Sequence, residues 1–476
     1  MPRAGWVKPE TDQRLSDHIS IGVLTRVFSP EVVDRVVAET GRKERRHRLL
    51  PARVVVYYVL GLALFADASY EEVMRQLVEG LSWASGWSRH WNVPTKASLF
   101  KARARLGPKP LEALFGAVAD PMASEQTKGA FYRGWRLMSI DGTCLDLADT
   151  PENDAHFGRP GSGRGEGQGA FPQVRVVALA ESGSHALIAA CQGPLSDGET
   201  TLARGLLGSF KSGMLVLADR NFYSFKLWNE ARSTGADLLW RTKSNHILPV
   251  GERLEDGSYL SVLHEVVENK RRRSDVVVRV IEYELTDPGR RDVEPLYRLV
   301  TTITDPVAAP AHELAALYPE RWEFETTLGE MKTHQRGPRV VLRSKQPDGV
   351  VQELYGYLCV HYAIRWLMHT VALDADEDPD RLSFTRTLRV ARRSTASYPG
   401  FPPQALDAAR AQAAEEILFE RVPARLRSNP RVVKRKMSSF PVKRQHHRNW
   451  PQPTKTANEA VVVVGVPEKE AITSTT

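Results

Sequence analysis

The stretch YPERWEFETTLGEMK, Tyr318 to Lys332, carries Glu320, Glu323, Glu325 and Glu330 among Arg321, Lys332 and three aromatic residues. Its composition predicts a helix, and the angular positions separate the acids. With ~100° of rotation per residue, Tyr318, Glu325 and Lys332 all fall within about 60° of Arg321. Glu323 and Glu330 fall at roughly 200° and 180°, on the opposite side, where ordinary solvent-facing charge is expected. A stripe of Tyr, Arg, Glu and Lys some 21 Å long, counting ~1.5 Å per residue, could follow an elongated anionic partner such as a duplex. A solvated helix with an i,i+4 pair between Arg321 and Glu325 would present the same residues.

Upstream, the texture is strand-like from about residue 130: WRLMSI runs into Asp141, VRVVALAE and HALIAACQ read as a hairpin, and GMLVLA runs into Asp219 before a helical segment. Aspartate also favours turns and helix caps, so neither residue is diagnostic by itself. Carboxylates where apolar strands emerge are nevertheless well placed to line a crevice. With Glu325 they make three hard oxygen donors, which suit Mg²⁺ or Mn²⁺ and not Zn²⁺. Like charges brought together need cations between them. Segments between 244 and 305 (SDVVVRVIEYEL, LYRLVTTIT) read as an inserted sheet.

Residues 1–125 and the region after Tyr355 read as helix. VPTKASLFKARARLGPKPLEALF predicts a helix, a Gly107-Pro108 turn and a second helix, and Lys96, Lys101, Arg103 and Arg105 are its candidate DNA contacts. A helical hairpin with basic decoration would look alike. GRPGSGRGEGQGAF lacks the G-K-[ST] ending of a phosphate-cradling loop and is expected to be a mobile loop. RVPARLRSNPRVVKRKMSSFPVKRQHHRNW has no acid and reads as an arm for nucleic acid, with Arg435 among its contacts; the final twenty or so residues are expected to be weakly structured.

The chain has 476 residues and a formal charge of +8, an excess that points to an anionic partner only where it clusters. Its three cysteines show no C-x-x-C spacing, so neither a zinc module nor a disulfide framework is expected. A reducing cytoplasm fits. No signal peptide is seen, and the longest apolar run, VVVYYVLGLALFA, is short of the ~20 residues that span a bilayer, so no membrane association is expected.

The ordered motifs SIDGTCLDLADT, VLADRNFY and the spacing Tyr318, Arg321, Glu325, Lys332 resemble the DDE transposases of the insertion-sequence-four family. The resemblance implies an α/β fold. A mixed-sheet, RNase H-like catalytic domain at 126–345, with a β-rich insertion at about 244–305, would sit between a helical DNA-binding region at 1–125 and a helical region with a basic tail at 346–476. It implies that Asp141, Asp219 and Glu325 bind two Mg²⁺ or Mn²⁺ ions, with Tyr318, Arg321 and Lys332 on the DNA strand; in relatives an aromatic of the insertion stacks on a base, for which Trp240 and Tyr297 are candidates, with core residues as the alternative. Arg220, next to Asp219, is a candidate for a further phosphate contact or a surface salt bridge. The implied activity is cleavage at the ends of an insertion sequence and joining of 3′ ends to target DNA, by a bacterial, cytoplasmic, nucleoid-associated protein that dimerises on DNA. A structure-specific nuclease of the same fold, or a DNA-binding descendant without catalysis, is the alternative.

Overall fold

The computed structural model describes residues 22–44, 50–84, 94–161, 169–243, 246–266, 272–287, 296–337, 340–397, 403–419, 421–422 and 455–466. Among the described residues, ten strands form one sheet: β1 Phe131–Tyr132, β2 Trp135–Asp146, β3 Gln173–Glu181, β4 Leu187–Gly193, β5 Met214–Ala218, β6 Asp237–Arg241, β7 Tyr259–Val266, β8 Arg272–Leu285, β9 Tyr297–Thr301 and β10 Val461–Val463. The main order is β10-β8-β9-β6-β5-β2-β3-β4, with β1 on β2 and β7 on β8. β5 runs parallel to both β2 and β6, and the remaining pairs are antiparallel. This mixed sheet with helical flanks is the α/β architecture expected from the sequence.

The centre of the sheet is buried on both faces, as the unbroken apolar run of β5 demands. Met214, Val216 and Ala218 join a core shared with helix Ala52–Leu64 and helix Pro347–Asp374, while Leu215 and Leu217 pack on the other face with helix Ala311–Leu317. The long helix Pro347–Asp374 crosses helix Ala52–Leu64, so the N-terminal helices share the core of the sheet domain. Among the described residues, no helix is long and apolar enough to cross a membrane.

Three expectations change. Instead of forming a separate inserted sheet, β9 pairs with β6 and β8 pairs with β9, so these strands widen the central sheet. Asp141 does not end its strand: β2 continues antiparallel to β3 as far as Asp146, and it is the parallel neighbour β5 that stops at Ala218. Part of the final twenty residues is also ordered. Thr456 and Glu459 form a capping box on helix Ala457–Ala460, and the valines after it pair with β8, Val461 opposite Leu285. Arg435, most of the acid-free run around it, and residues 162–168 of the glycine-rich stretch lie outside the described residues.

Candidate active site

The parallel register sets Ile140 opposite Ala218, so the next residues, Asp141 and Asp219, emerge side by side where β5 ends. Each carboxylate is oriented locally. Asp141 Oδ1 accepts the Gly142 N–H at 2.7 Å, and Asp219 Oδ1 accepts the Asn221 N–H at 2.8 Å. Burial pushes the Asp141 carboxyl above the usual carboxylate range and the Asp219 charge adds to this, while Arg321 and the Gly142 N–H work against it.

Arg321 is the link to the signature segment. That segment is a 3₁₀ turn at Tyr318–Arg321, an α-helix at Trp322–Gly329 and a π-turn at Glu330–Gln335. One side of it lies along β2 and β5. The Tyr318 hydroxyl donates to the Ala218 carbonyl at 3.1 Å, Arg321 Nη1 donates to Asp141 Oδ2 at 2.9 Å, and Lys332 Nζ donates to Thr143 Oγ1 at 2.7 Å. Three stripe residues thus meet β2 and the end of β5, next to both aspartates. Glu325 is half-buried in the middle of this stretch. Tyr318 is a buried peg, its hydroxyl pKa pushed up to about 12 by burial, and its hydroxyl is committed to the sheet and not to a DNA strand. Arg321 is also buried, under the Trp322 ring at 4.8 Å.

The opposite side of the segment is not a solvated face. Glu330 is buried, and its Oε2 accepts Arg365 Nε at 2.8 Å and lies 3.2 Å from His361 Nε2. Glu323 Oε2 accepts the N–H of Gly183 at 2.9 Å and stands 3.7 Å from His185 Nε2. His185 in turn is 2.9 Å from Asp380. Gly183 has φ 77°, and a Cβ there would meet the Lys128 carbonyl at 2.7 Å, so the β3–β4 turn can present this N–H only with glycine. The wheel predicted the side correctly but not its cover, because helix Pro347–Asp374 lies across it.

Burial would push the Glu330 carboxyl up, but the Arg365 charge and the two histidines outweigh it and hold it well below the usual range. Burial likewise works against a charge on His185, yet Asp380 raises it to about 9. Ligand atoms of His185, Glu323 and Asp380 lie within 4.8 Å of one another. The cations Arg365 and His185 already balance these acids, so the group reads as an ion-pair network and not as a metal centre.

The predicted DNA contacts divide by exposure. Lys96, Lys101 and Arg105 are exposed on helix Lys96–Leu106, and Arg220 is exposed beside Asp219. Arg103 is corrected: it is buried, with Nε donating to Gln352 Oε1 at 2.7 Å, and ties the N-terminal helix to the long one. Trp240 is a core residue packed edge-on against Trp228, and Tyr297 stacks on Tyr283 beneath Arg241.

One residue near the aspartates is not singled out by the sequence. Glu199 opens the short helix Glu199–Arg204, and burial together with the Asp141 and Asp219 charges raises its carboxyl. Its only sequence signal is an acid in the turn SDGET after a hairpin, a pattern common in helix starts.

Residues 18–116 match the family described as insertion element 4 transposase N-terminal, and residues 134–362 match the transposase DDE domain. The transposase InsG for insertion sequence element IS4 of Escherichia coli (strain K12) is 29% identical over 422 residues, covering 87% of this chain and 92% of that one. The putative transposase InsZ of the same organism is 28% identical over 195 residues, 41% of this chain and 62% of its own length. A solved piggyBac transposase synaptic complex with hairpin DNA aligns with 82% of the chain at 10% identity and a TM-score of 0.41.

Proposed function

The chain belongs to the insertion-element-four family of DDE transposases and is an insertion-sequence transposase, an enzyme acting on DNA; from that premise we propose that Asp141, Asp219 and Glu325 hold two Mg²⁺ or Mn²⁺ ions for cleavage at the element ends and 3′-end strand transfer. A DDE domain implies divalent-metal dependence. The observation that carries the assignment is that Asp141, within β2, and Asp219, just past the end of β5, are neighbours across the parallel pair, with Arg321, one turn before Glu325, bonded to Asp141. The donors are all hard carboxylate oxygens, which fits these ions.

When bound, such ions activate the attacking oxygen and neutralise the leaving one. The chain's own residues do the positioning. The Gly142 N–H and Arg321 fix the two oxygens of Asp141, and Asn221 fixes Asp219. Arg321 thereby serves the carboxylate first, and Lys332 and the exposed Arg220 are the cations we assign to the phosphates of the scissile strand. Lys96, Lys101 and Arg105 extend the contact on the N-terminal side. An element has two ends that must be joined to one target, which supports assembly as a homodimer on DNA. The same reading places the protein on the bacterial nucleoid in the cytoplasm.

The test is cleavage of an end-labelled terminal repeat in Mg²⁺ by full-length protein. Asp141→Asn, Asp219→Asn and Glu325→Gln should each bring cleavage below detection while the gel shift of the same DNA persists. Wild-type cleavage by any one of the three would remove that residue from the site.

A further inference from the structure

We propose that Arg241 is a phosphate-binding residue of the active site, holding the DNA strand on the side of Asp219 away from Asp141. This rests on the assignment of the scissile phosphate to the two aspartates. The parallel register places the arginine: Ile140 stands opposite Ala218 and Ala218 opposite Trp240, so the residues that follow, Asp141, Asp219 and Arg241, form one row across β2, β5 and β6. They also share a face. Side chains alternate along a strand, and Leu137, Leu217 and Leu239, each an even number of residues earlier, pack in one cluster with Tyr318. Ile140, Ala218 and Trp240 belong to the cluster on the opposite face.

Arg241 is held firmly in this row. β9 pairs with β6 on its outer side, Leu299 opposite Arg241, so the backbone lies within the sheet and not in a loop. The half-buried guanidinium lies 4.7 Å over the Tyr297 ring, which itself stacks on Tyr283 at 5.2 Å. Stacking engages the flat face of a guanidinium, whereas phosphate is recognised by its N–H edge, so the two roles are compatible. The charge also reaches the site: burial dominates the Tyr318 hydroxyl, and Arg321 and then Arg241 act against it.

The row sets the cations on both sides of the acids. Arg321 and Lys332 meet β2 at Asp141 and Thr143, and Arg241 stands on β6. With strands ~4.8 Å apart, the backbone of Arg241 is about 10 Å from that of Asp141, two strand spacings away. A DNA strand crossing from Lys332 to Arg241 is gripped before and after the carboxylates, which fixes the scissile phosphate between them. A cation beside a divalent-metal site opposes the metal unless an anion accompanies it, and a phosphate of the substrate is that anion.

The experiment is fluorescence anisotropy of a labelled terminal-repeat duplex with full-length protein at a series of salt concentrations, for wild type, Arg241→Gln and Lys332→Ala. Arg241→Gln should lower the slope of log affinity against log salt by about one unit, as for one lost phosphate contact. If Lys332→Ala lowers the slope and Arg241→Gln keeps that of wild type, Arg241 serves the sheet alone and the proposal is overturned while the site assignment stands. If neither variant changes the slope, the strand does not lie on this face and the site assignment fails with the proposal. Should urea unfolding show that Arg241→Gln does not fold, Arg241→Lys is compared with wild type on duplexes carrying one neutral methylphosphonate beside the cut. A position where wild type loses about tenfold in affinity and Arg241→Lys loses less supports the contact, and identical profiles overturn it.

Discussion

Replacing Glu330 by Gln keeps the volume and removes one charge from the buried network behind the signature helix. Glu330 is 5% exposed and meets Arg365 through both oxygens, with Arg365 itself 2% exposed. Breaking a buried pair by removing one partner costs about 3–5 kcal/mol, because the other charge stays buried without compensation. An exposed carboxylate on a helix would change stability by no more than about 0.5 kcal/mol. The two cases are separated by a factor large enough to measure.

The assay is urea unfolding of Glu330→Gln, Arg365→Met and the double variant at pH 7. Glu330 is held well below the ordinary carboxylate value of 4.5, so its contribution is complete above that value and is lost as pH falls through the depressed one. The single variants should each lose about 3–5 kcal/mol, and the double variant should lose less than their sum by roughly 1–3 kcal/mol. Cleavage should fall with Glu330→Gln, because Glu325 and Glu330 share one helical segment and Arg365 anchors its far side. An unfolding free energy within about 0.5 kcal/mol of wild type would refute the buried-network reasoning, as would strict additivity in the double variant.

His185, held as a cation by Asp380 with Glu323 and Glu330 nearby and Arg365 opposing, stabilises fully below its ordinary value of 6.5 and loses that contribution as pH rises through about 9. Unfolding free energy should therefore decline between about pH 7 and 10, and His185→Gln should flatten the decline. Tyr318→Phe removes one hydrogen bond to the Ala218 carbonyl and should cost about 1 kcal/mol by urea unfolding, with DNA affinity unchanged in a filter-binding titration. Lys332→Ala should lower the slope of log affinity against log salt by about one unit, as for one lost phosphate contact. Substituting several Arg and Lys of the 423–450 run by Ser should weaken binding to random and cognate duplexes by similar factors in gel shifts.

The sheet-forming segments are legible in the sequence because alternation and apolar runs report burial directly, and the Tyr318-Arg321-Glu325-Lys332 spacing is legible because helical rotation groups residues regardless of context. A wheel cannot supply the identity of the neighbour. Glu323 and Glu330 fall on the side away from Asp141, as the rotation requires, but a second helix covers that side. The signal for this lies elsewhere: His361, Arg365 and His369 recur every four residues in the largely apolar stretch 354–373 of the long helix, a polar stripe that needs buried partners. Glu330 and Thr127 are those partners.

Arg103 escapes the sequence for a related reason: a basic residue in a basic helix looks exposed until its rotation is set against the long helix. The C-terminal end shows the same limit at the level of topology. Composition marks the acid-free run as an arm, but only strand pairing reveals that the residues on either side of it are anchored. Leu382 bridges to Arg421 before the run, and after it Lys455 bonds Asp287 while β10 joins β8. A truncation at Val422 would therefore strip a strand from the sheet together with the charges. Charge substitutions within the run can separate DNA affinity from fold, whereas removing the end of the chain cannot.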